Sequence, residues 1–386
     1  MDLNGILQQA VARGASDVHL KIGLRPMMRI HSILYPLEDF SAISKDEMLA
    51  VLDHLLDEHH RERFRSRTQV DLAYEGEGTG RFRVNVFMQR GAPSIAMRSI
   101  PSRIRTVGEL NLPPIVEKLA LENRGLILCT GTTGSGKSTT LAAMVGHING
   151  NCSNHIITIE DPIEYTHDDI RSIISQRELG YDVTTFADGL KAALRQDPDV
   201  ILVGEMRDLE TIETAILAAE TGHLVLSTLH TLDATETITR IISNFPEHQR
   251  EQIRLILSNI IRGILSQRLV PRADGEGMVP AVEIMVSTAR IRDCIAIKEK
   301  TLEIRDAIAV GYSSYGMQTF DQSLMSLYRK DLITYDEALA QSSNPDDFAL
   351  KVRGVASTSD RRWEDFDRAP EEQEAEGPER LKIDRF

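Results

Sequence analysis

The run Gly131-Thr-Thr-Gly-Ser-Gly-Lys-Ser138 is the part of this chain best equipped for chemistry. Glycines at 131, 134 and 136 let successive backbone N–H groups close around phosphate oxygens, and a helix starting there adds the positive end of its dipole. Lys137 would reach the β- and γ-phosphates of a nucleoside triphosphate, and the Ser138 hydroxyl would bind Mg²⁺. The flanks agree with this reading. Leu126 to Cys129 is an apolar, strand-like run, while Leu141, Met144, Val145 and Ile148 recur at helical spacing. The expected nucleotide-binding set is Gly131, Thr132, Thr133, Gly134, Ser135, Gly136, Lys137, Ser138 and Thr139.

Acidic and histidine residues follow the apolar runs downstream. His155 to Ile159 leads into Glu160-Asp-Pro-Ile-Glu164, Val200 to Val203 leads into Gly204-Glu205, and Leu224 to Ser227 lies between His223 and His230. If these runs are parallel strands, their carboxyl ends gather those groups around the phosphates. Glu205 stands one place beyond the position where an Asp usually follows such a strand, and it is the expected Mg²⁺ ligand, through water. Glu164 would orient and deprotonate the attacking water, with Glu160 and Asp161 as competitors for that task. His230 is the more suitable of the two histidines to sense the γ-phosphate.

Stepping outward, the alternation of strand and helix from residue 115 onward implies a parallel sheet covered on both faces. Ile212, Ala215, Ile216 and Ala219 mark one of the intervening helices. After about Asn259 the pattern reads as wholly or mainly helical, with Phe320, Leu324 and Leu327 on one face and a capping box at Thr334 and Glu337. Residues 1 to 105 form a smaller α+β domain. Its expected elements are a helix carrying Leu3, Ile6, Leu7 and Ala10; strands at Ser16 to Leu20 and Met28 to Leu34; and a helix opened by Ser44 and Glu47. A hairpin follows, in which Phe82, Val84, Val86 and Met88 share one face, Gly91 and Pro93 turn the chain, and Ser94 to Ile100 returns. Residues 106–114 read as a linker, and 356–386, acidic and poor in apolar residues, as a disordered tail.

Bulk composition narrows the class. The chain has 386 residues, 41% of them hydrophobic, and a net charge of −14, with an isoelectric point near 5.3. That balance disfavours a nucleic-acid translocase, which needs a basic track. Three cysteines, Cys129, Cys152 and Cys294, supply neither a zinc ribbon nor a disulfide framework. No window approaches the ~20 apolar residues that span a bilayer, so membrane association is expected through a partner.

Four boxes together resemble the secretion ATPases. They are Thr133 to Met144, Thr158 to Glu164, Asp197 to Thr211 and Ala219 to His230, matching the Walker A, Asp box, Walker B and His box. The resemblance is strongest to the PilT and PilU group, the retraction ATPases of type IV pili. It implies a PAS-like N-terminal domain followed by a RecA-like P-loop domain with a helical C-terminal part. It also implies ATP and Mg²⁺ as ligands, nucleotide held between each subunit's two domains, and a homo-hexameric ring in the cytoplasm. That ring would lie peripheral to the inner membrane, on the platform protein of the pilus machine. By resemblance Glu164 is the catalytic glutamate, Glu205 the Walker B glutamate, His223 and His230 the His box, and Arg83 and Arg98 the arginines that reach toward nucleotide. Three stretches and one residue depart from the PilT pattern. Of Ala289 to Ala296 only Ile291, Arg292 and Ile295 hold it, while Gly316 to Leu324 and Ile333 to Leu339 are more similar to PilU; Ser32 stands where the family usually has Gly. The expected function is therefore a retraction motor. The alternatives are a PilU-like accessory working with another retraction ATPase, or a nucleotide-binding regulator with little turnover. No Leu-Ser-Gly-Gly signature supports an ABC-type enzyme.

Overall fold

A computed structural model describes residues 1–30, 33–100 and 103–355. Ser32 and the tail 356–386 lie outside the described residues. Tertiary contacts divide the chain into two compact units: Met1–Cys129 with Gly136–Leu229, and Thr130–Ser135 with His230 onward. The expected linker at 106–114 falls inside the first unit, where Val107 and Leu112 are buried.

The first unit opens with the helix Leu3–Ala12, which buries Leu3, Ile6, Leu7 and Ala10 and is capped by the Asp2 carboxylate. Six strands follow: β1 (Asp17–Lys21), β2 (Met27–Ile30), β3 (Ile33–Pro36), β4 (Gln69–Gly76), β5 (Gly80–Gln89) and β6 (Ala92–Ile100). They form an antiparallel sheet in the order β3-β2-β1-β6-β5-β4. The expected single strand over 28–34 is in fact two, with Ile30 opposite Ile33. A chain that folds back on itself keeps its apolar alternation, so the period does not reveal the reversal. In β5, Phe82, Val84 and Val86 are buried as expected, but Met88 is exposed. Arg90 and Gly91, both at positive φ, make the β5–β6 turn, and Pro93 lies inside β6 opposite Met88. Ser44 and Glu47 close the expected capping box in both directions.

The unit continues with β7 (Gly125–Thr130), the fifteen-residue helix Lys137–Asn151, β8 (His155–Glu160), β9 (Ile173–Glu178), β10 (Val200–Val203) and β11 (Leu224–Leu229). Their order is β7-β11-β10-β8-β9. The β8–β9, β8–β10 and β10–β11 pairs are parallel. Buried on both faces, β10 and β11 read as continuous apolar runs, which is why they were legible. The helix Leu209–Glu220 buries Ile212, Ala215, Ile216 and Ala219.

The second unit corrects the reading beyond Asn259. The helix Arg250–Ile260 gives way to β12 (Ile261–Pro271) and β13 (Met278–Val286), an antiparallel hairpin in register from Gly263 opposite Val286 to Pro271 opposite Met278. Gly275 and Gly277, both at positive φ, supply the turn. Helices dominate only after Ala289. Phe320, Leu324 and Leu327 are buried in the helix Phe320–Arg329. Thr334 caps Tyr335–Gln341 by accepting the Glu337 N–H at 3.2 Å, but the box is closed in both directions only at Ser44 and Thr319 among the described helices.

Candidate functional site

Ten described helices are closed at the amino end by a side chain. The longest described helix, Lys137–Asn151, is not: its cap is Gly136 at φ 90°, with no side-chain cap hydrogen bond. A helix start without a side-chain cap leaves backbone N–H groups available to an anion. Lys137 is buried and Ser138 exposed beside it. Burial pushes the Lys137 amine below its ordinary range, while Cys129, Glu205 and Glu164 act to keep its proton. Burial also lifts the Cys129 thiol to about 12, so that sulfur has no nucleophilic role.

In the second unit, Gly131 to Ser135 line a cavity of about 430 Å³ with Leu232, Gln267 and Arg268. Gly131 sits at φ 139°, and a Cβ there would meet the Gln267 carbonyl oxygen at 2.3 Å. The Ser135 hydroxyl is buried without a hydrogen-bond partner among the described residues. A loop with exposed Thr132, Thr133 and Gly134, a buried lysine at its end and an orphaned hydroxyl fits a polyphosphate. Ser138 and Glu205 fit Mg²⁺, which takes few protein ligands and completes its shell with phosphate oxygens and water.

The carboxylates separate by environment. Glu160 ends β8 and is engaged: it accepts from the Thr158 hydroxyl at 2.7 Å and the Gln176 amide at 3.3 Å. Burial raises its pKa. Asp161 is exposed. Glu164 has 42% of its side chain exposed, lies 4.0 Å from Arg83, and is one of the two carboxylates that act on Lys137. Glu205, 16% exposed, is the other, and it pairs with Arg207 at 2.8 Å. It does not cap the following helix; Asp208 does. The residue before it is tightly placed: a Cβ at Gly204 would meet the Ile159 carbonyl at 3.2 Å and Glu160 Cα at 3.3 Å.

Arg83 and Arg98 are paired across β5 and β6. Their side chains diverge: Arg83 faces Glu164, while Arg98 donates to Asp17 at 2.9 Å and is 71% exposed. Burial works against Asp17, but hydrogen bonds from Ser16 and Arg98 hold its carboxyl below its ordinary value. His223 lies at the amino end of β11, its carbonyl accepting the Gly125 N–H at 3.0 Å and its Nδ1 bonded to the Ala218 carbonyl at 2.9 Å. A strand of this length spans roughly 20 Å. His223 is therefore at the far end of the strands from Lys137, and its hydrogen bonds close the turn before β11. His230 follows the carboxyl end of β11 and is exposed.

Sequence reasoning missed Tyr165, Gln176, Glu178 and Arg81. Tyr165 shares a hydroxyl hydrogen bond of 2.9 Å with Thr139, and Arg81 lies 3.5 Å from Glu178. Gln176 and Glu178 alternate on β9, which reads as a polar segment and gave no strand signal.

A family profile described as "Type II/IV secretion system protein" matches residues 1–313. The "Type IV pilus retractation ATPase PilT" of Pseudomonas aeruginosa is 40% identical over 348 residues, 90% of this chain and 100% of that protein. The "Type IV pilus ATPase PilU" of the same organism is 39% identical over 360 residues, 93% of each chain. Among solved structures, one of the "Pilus Retraction Motor PilT and Bound ADP" superposes with a TM-score of 0.83 at 46% identity, covering 90% of this chain and 98% of that one.

Proposed function

Because this chain belongs to the Type II/IV secretion system protein family, we propose that it is an ATPase motor that couples ATP hydrolysis to retraction of type IV pili. The observation that carries the reading is the company of Lys137: a buried amine at a helix start without a side-chain cap, acted on by the carboxylates Glu164 and Glu205. A protein that only binds nucleotide needs the amine but not a second, half-exposed carboxylate beside it.

The residue roles follow from the chemistry. Lys137 and the N–H groups at the start of its helix bind phosphate oxygens and stay fixed through the reaction, so no reorganisation is needed as charge develops. Glu164 orients a water and takes its proton at the carboxylate. Arg83, 4.0 Å away, pairs with that carboxylate. Ser138 and Glu205 would hold Mg²⁺, which would neutralise charge on the phosphates. His230 reports the state of the γ-phosphate. Arg98 and His223 are placed in supporting positions, on Asp17 and in the turn before β11.

The working form is a homo-hexamer in which residues 1–105 act as a PAS-like domain and 115–355 as the RecA-like domain, as the family resemblance implies. No described helix is long and apolar enough to cross a membrane. As the family resemblance implies, the ring engages the inner membrane through the pilus platform protein. A second reading, a PilU-like accessory that works with another retraction ATPase, draws on the Ala289–Ala296 helix. There Ile291, Cys294 and Ile295 are buried, so the residues that keep the PilT pattern are partly core residues.

Mg-ATP hydrolysis by the purified protein, beside Glu205→Ala and sized on a column in the same buffer, tests the proposal. Turnover in a hexamer-sized peak, lost in the variant, is expected for a self-sufficient motor. Nucleotide binding without turnover would overturn that and leave the accessory reading.

A further inference from the structure

We propose that Gln176 is a positioning residue for Glu164, a role that rests on Glu164 being the base. Residues 161–172 lie outside any helix or strand, so the backbone around Glu164 has no ladder to fix it, and its polar groups need side-chain partners. The edge strand β9 supplies them. The Gln176 amide donates to the Tyr165 carbonyl at 2.7 Å and to Glu160 Oε1 at 3.3 Å, while its Oε1 accepts the His167 N–H at 2.9 Å. Two residues along, on the same face of β9, Glu178 Oε2 accepts the Ile163 N–H at 3.3 Å. Both chain neighbours of Glu164 are thus tied to β9. The Tyr165 hydroxyl, bonded to Thr139 at 2.9 Å, ties the same loop to the helix that begins with Lys137.

Only a residue with donor and acceptor on one planar group serves all three bonds from this strand position. Glutamate would lose the donors and set a second carboxylate beside Glu160; asparagine is one methylene short. A general base works only when held near its attack geometry, and a displacement of about 1 Å costs on the order of a hundredfold in rate.

The test uses the full chain: Gln176→Ala, Gln176→Glu, Glu164→Ala and the double variant Gln176→Ala/Glu164→Ala, each sized and melted beside wild type. Steady-state Mg-ATP hydrolysis gives kcat and KM, and a fluorescent ADP analogue gives equilibrium affinity. We expect both Gln176 variants to lose roughly ten- to a hundredfold in kcat, with ADP-analogue affinity within about twofold of wild type. The double variant should be no slower than Glu164→Ala alone, because both changes act through one carboxylate. An unchanged kcat in Gln176→Ala, a loss of affinity in step with kcat, or a double variant slowed by the product of the single effects would overturn the proposal. If those variants do not elute and melt like wild type, Gln176→Asn decides: it keeps the amide's donors and acceptor but is one methylene short of the three bonds, and a several-fold lower kcat at unchanged affinity supports the proposal while an unchanged kcat overturns it. Wild-type turnover by Glu164→Ala would instead show that the base is another residue; no turnover there, with normal Gln176 variants, would reject the positioning role alone.

Discussion

Replacing Glu283 by Gln should make the protein more stable at mildly alkaline pH, and the gain should depend on pH. Glu283 is buried on β13, opposite Ser266 of β12, and its Oε1 accepts the Ala234 N–H at 2.9 Å. Burial lifts its pKa from 4.5 to about 7; the Ala234 hydrogen bond opposes the lift, nearby Asp233 adds to it, and Arg305 and Arg268 oppose it. A group whose folded pKa is raised contributes stability that is fully present below the unfolded value and is lost as pH rises through the folded value. The loss at about pH 8 is about 3 kcal/mol, from the difference of the two pKa values at 1.36 kcal/mol per unit. Most of a titration toward acid is unusable, because the isoelectric point near 5.3 invites precipitation. Between about pH 6 and pH 8 the wild type still forfeits about 1.3 kcal/mol that the Gln variant does not. A glutamine keeps an oxygen for Ala234 and has no charge to desolvate. Thermal melts of both proteins at the two pH values should show the variant's advantage widening by on the order of 3 °C toward pH 8. All other titrating groups are common to the pair and cancel. A gap of constant size, or one that favours wild type as pH rises, would show that the buried carboxylate is ionised and paired in the folded state, and the reasoning from burial would be wrong.

Lys137→Ala should abolish nucleotide binding, read as loss of fluorescent ADP-analogue signal with unchanged hydrodynamic size. Glu164→Ala should bind ATP and lose roughly a hundred- to ten-thousandfold in kcat, the range for removal of a general base; near-normal turnover would point to another carboxylate. Gly131→Ala should cost on the order of 3 kcal/mol or more, because the new Cβ meets a backbone carbonyl at 2.3 Å that cannot swing aside at a φ of 139°. A wild-type melting temperature would contradict that. Arg83→Ala should lower kcat more than Arg98→Ala, since only Arg83 faces Glu164 while Arg98 is spent on Asp17.

Much of this architecture is legible because burial writes itself into sequence. The strands β10 and β11 are apolar on both faces, and the helices Lys137–Asn151 and Leu209–Glu220 carry their buried residues at helical spacing. What escapes is structure whose faces are mixed. β9 is half-buried along five of its six residues with none fully buried, and the helix Glu58–Arg67 buries nothing, so neither has a periodic apolar signal. The β12–β13 hairpin was open to recognition: Asp274 and Gly275 mark a turn between Ile261–Pro271 and the Val-rich stretch from Met278. Mixed spacing in Ile264, Leu265 and Val270 disguised it as a helix.

The site divides in the same way, between chemistry carried by residue type and chemistry carried by placement. The proposed roles of Lys137, Ser138 and Glu205 can be assigned from a sequence because a phosphate and a metal each demand a particular group at the end of a strand or the start of a helix. Choosing Glu164 over Glu160 cannot be done that way: both are glutamates on one short segment, and only the hydrogen bonds from Thr158 and Gln176 show that Glu160 is committed to the fold. The same holds for the histidines. His223 and His230 bracket one strand symmetrically on paper, yet a parallel strand has a chemical end and a structural end, and His223 spends its imidazole on the Ala218 carbonyl at the structural one. Spacing identifies which residues are candidates for the reaction; which of them remain available is set by what the neighbouring strand asks them to hold.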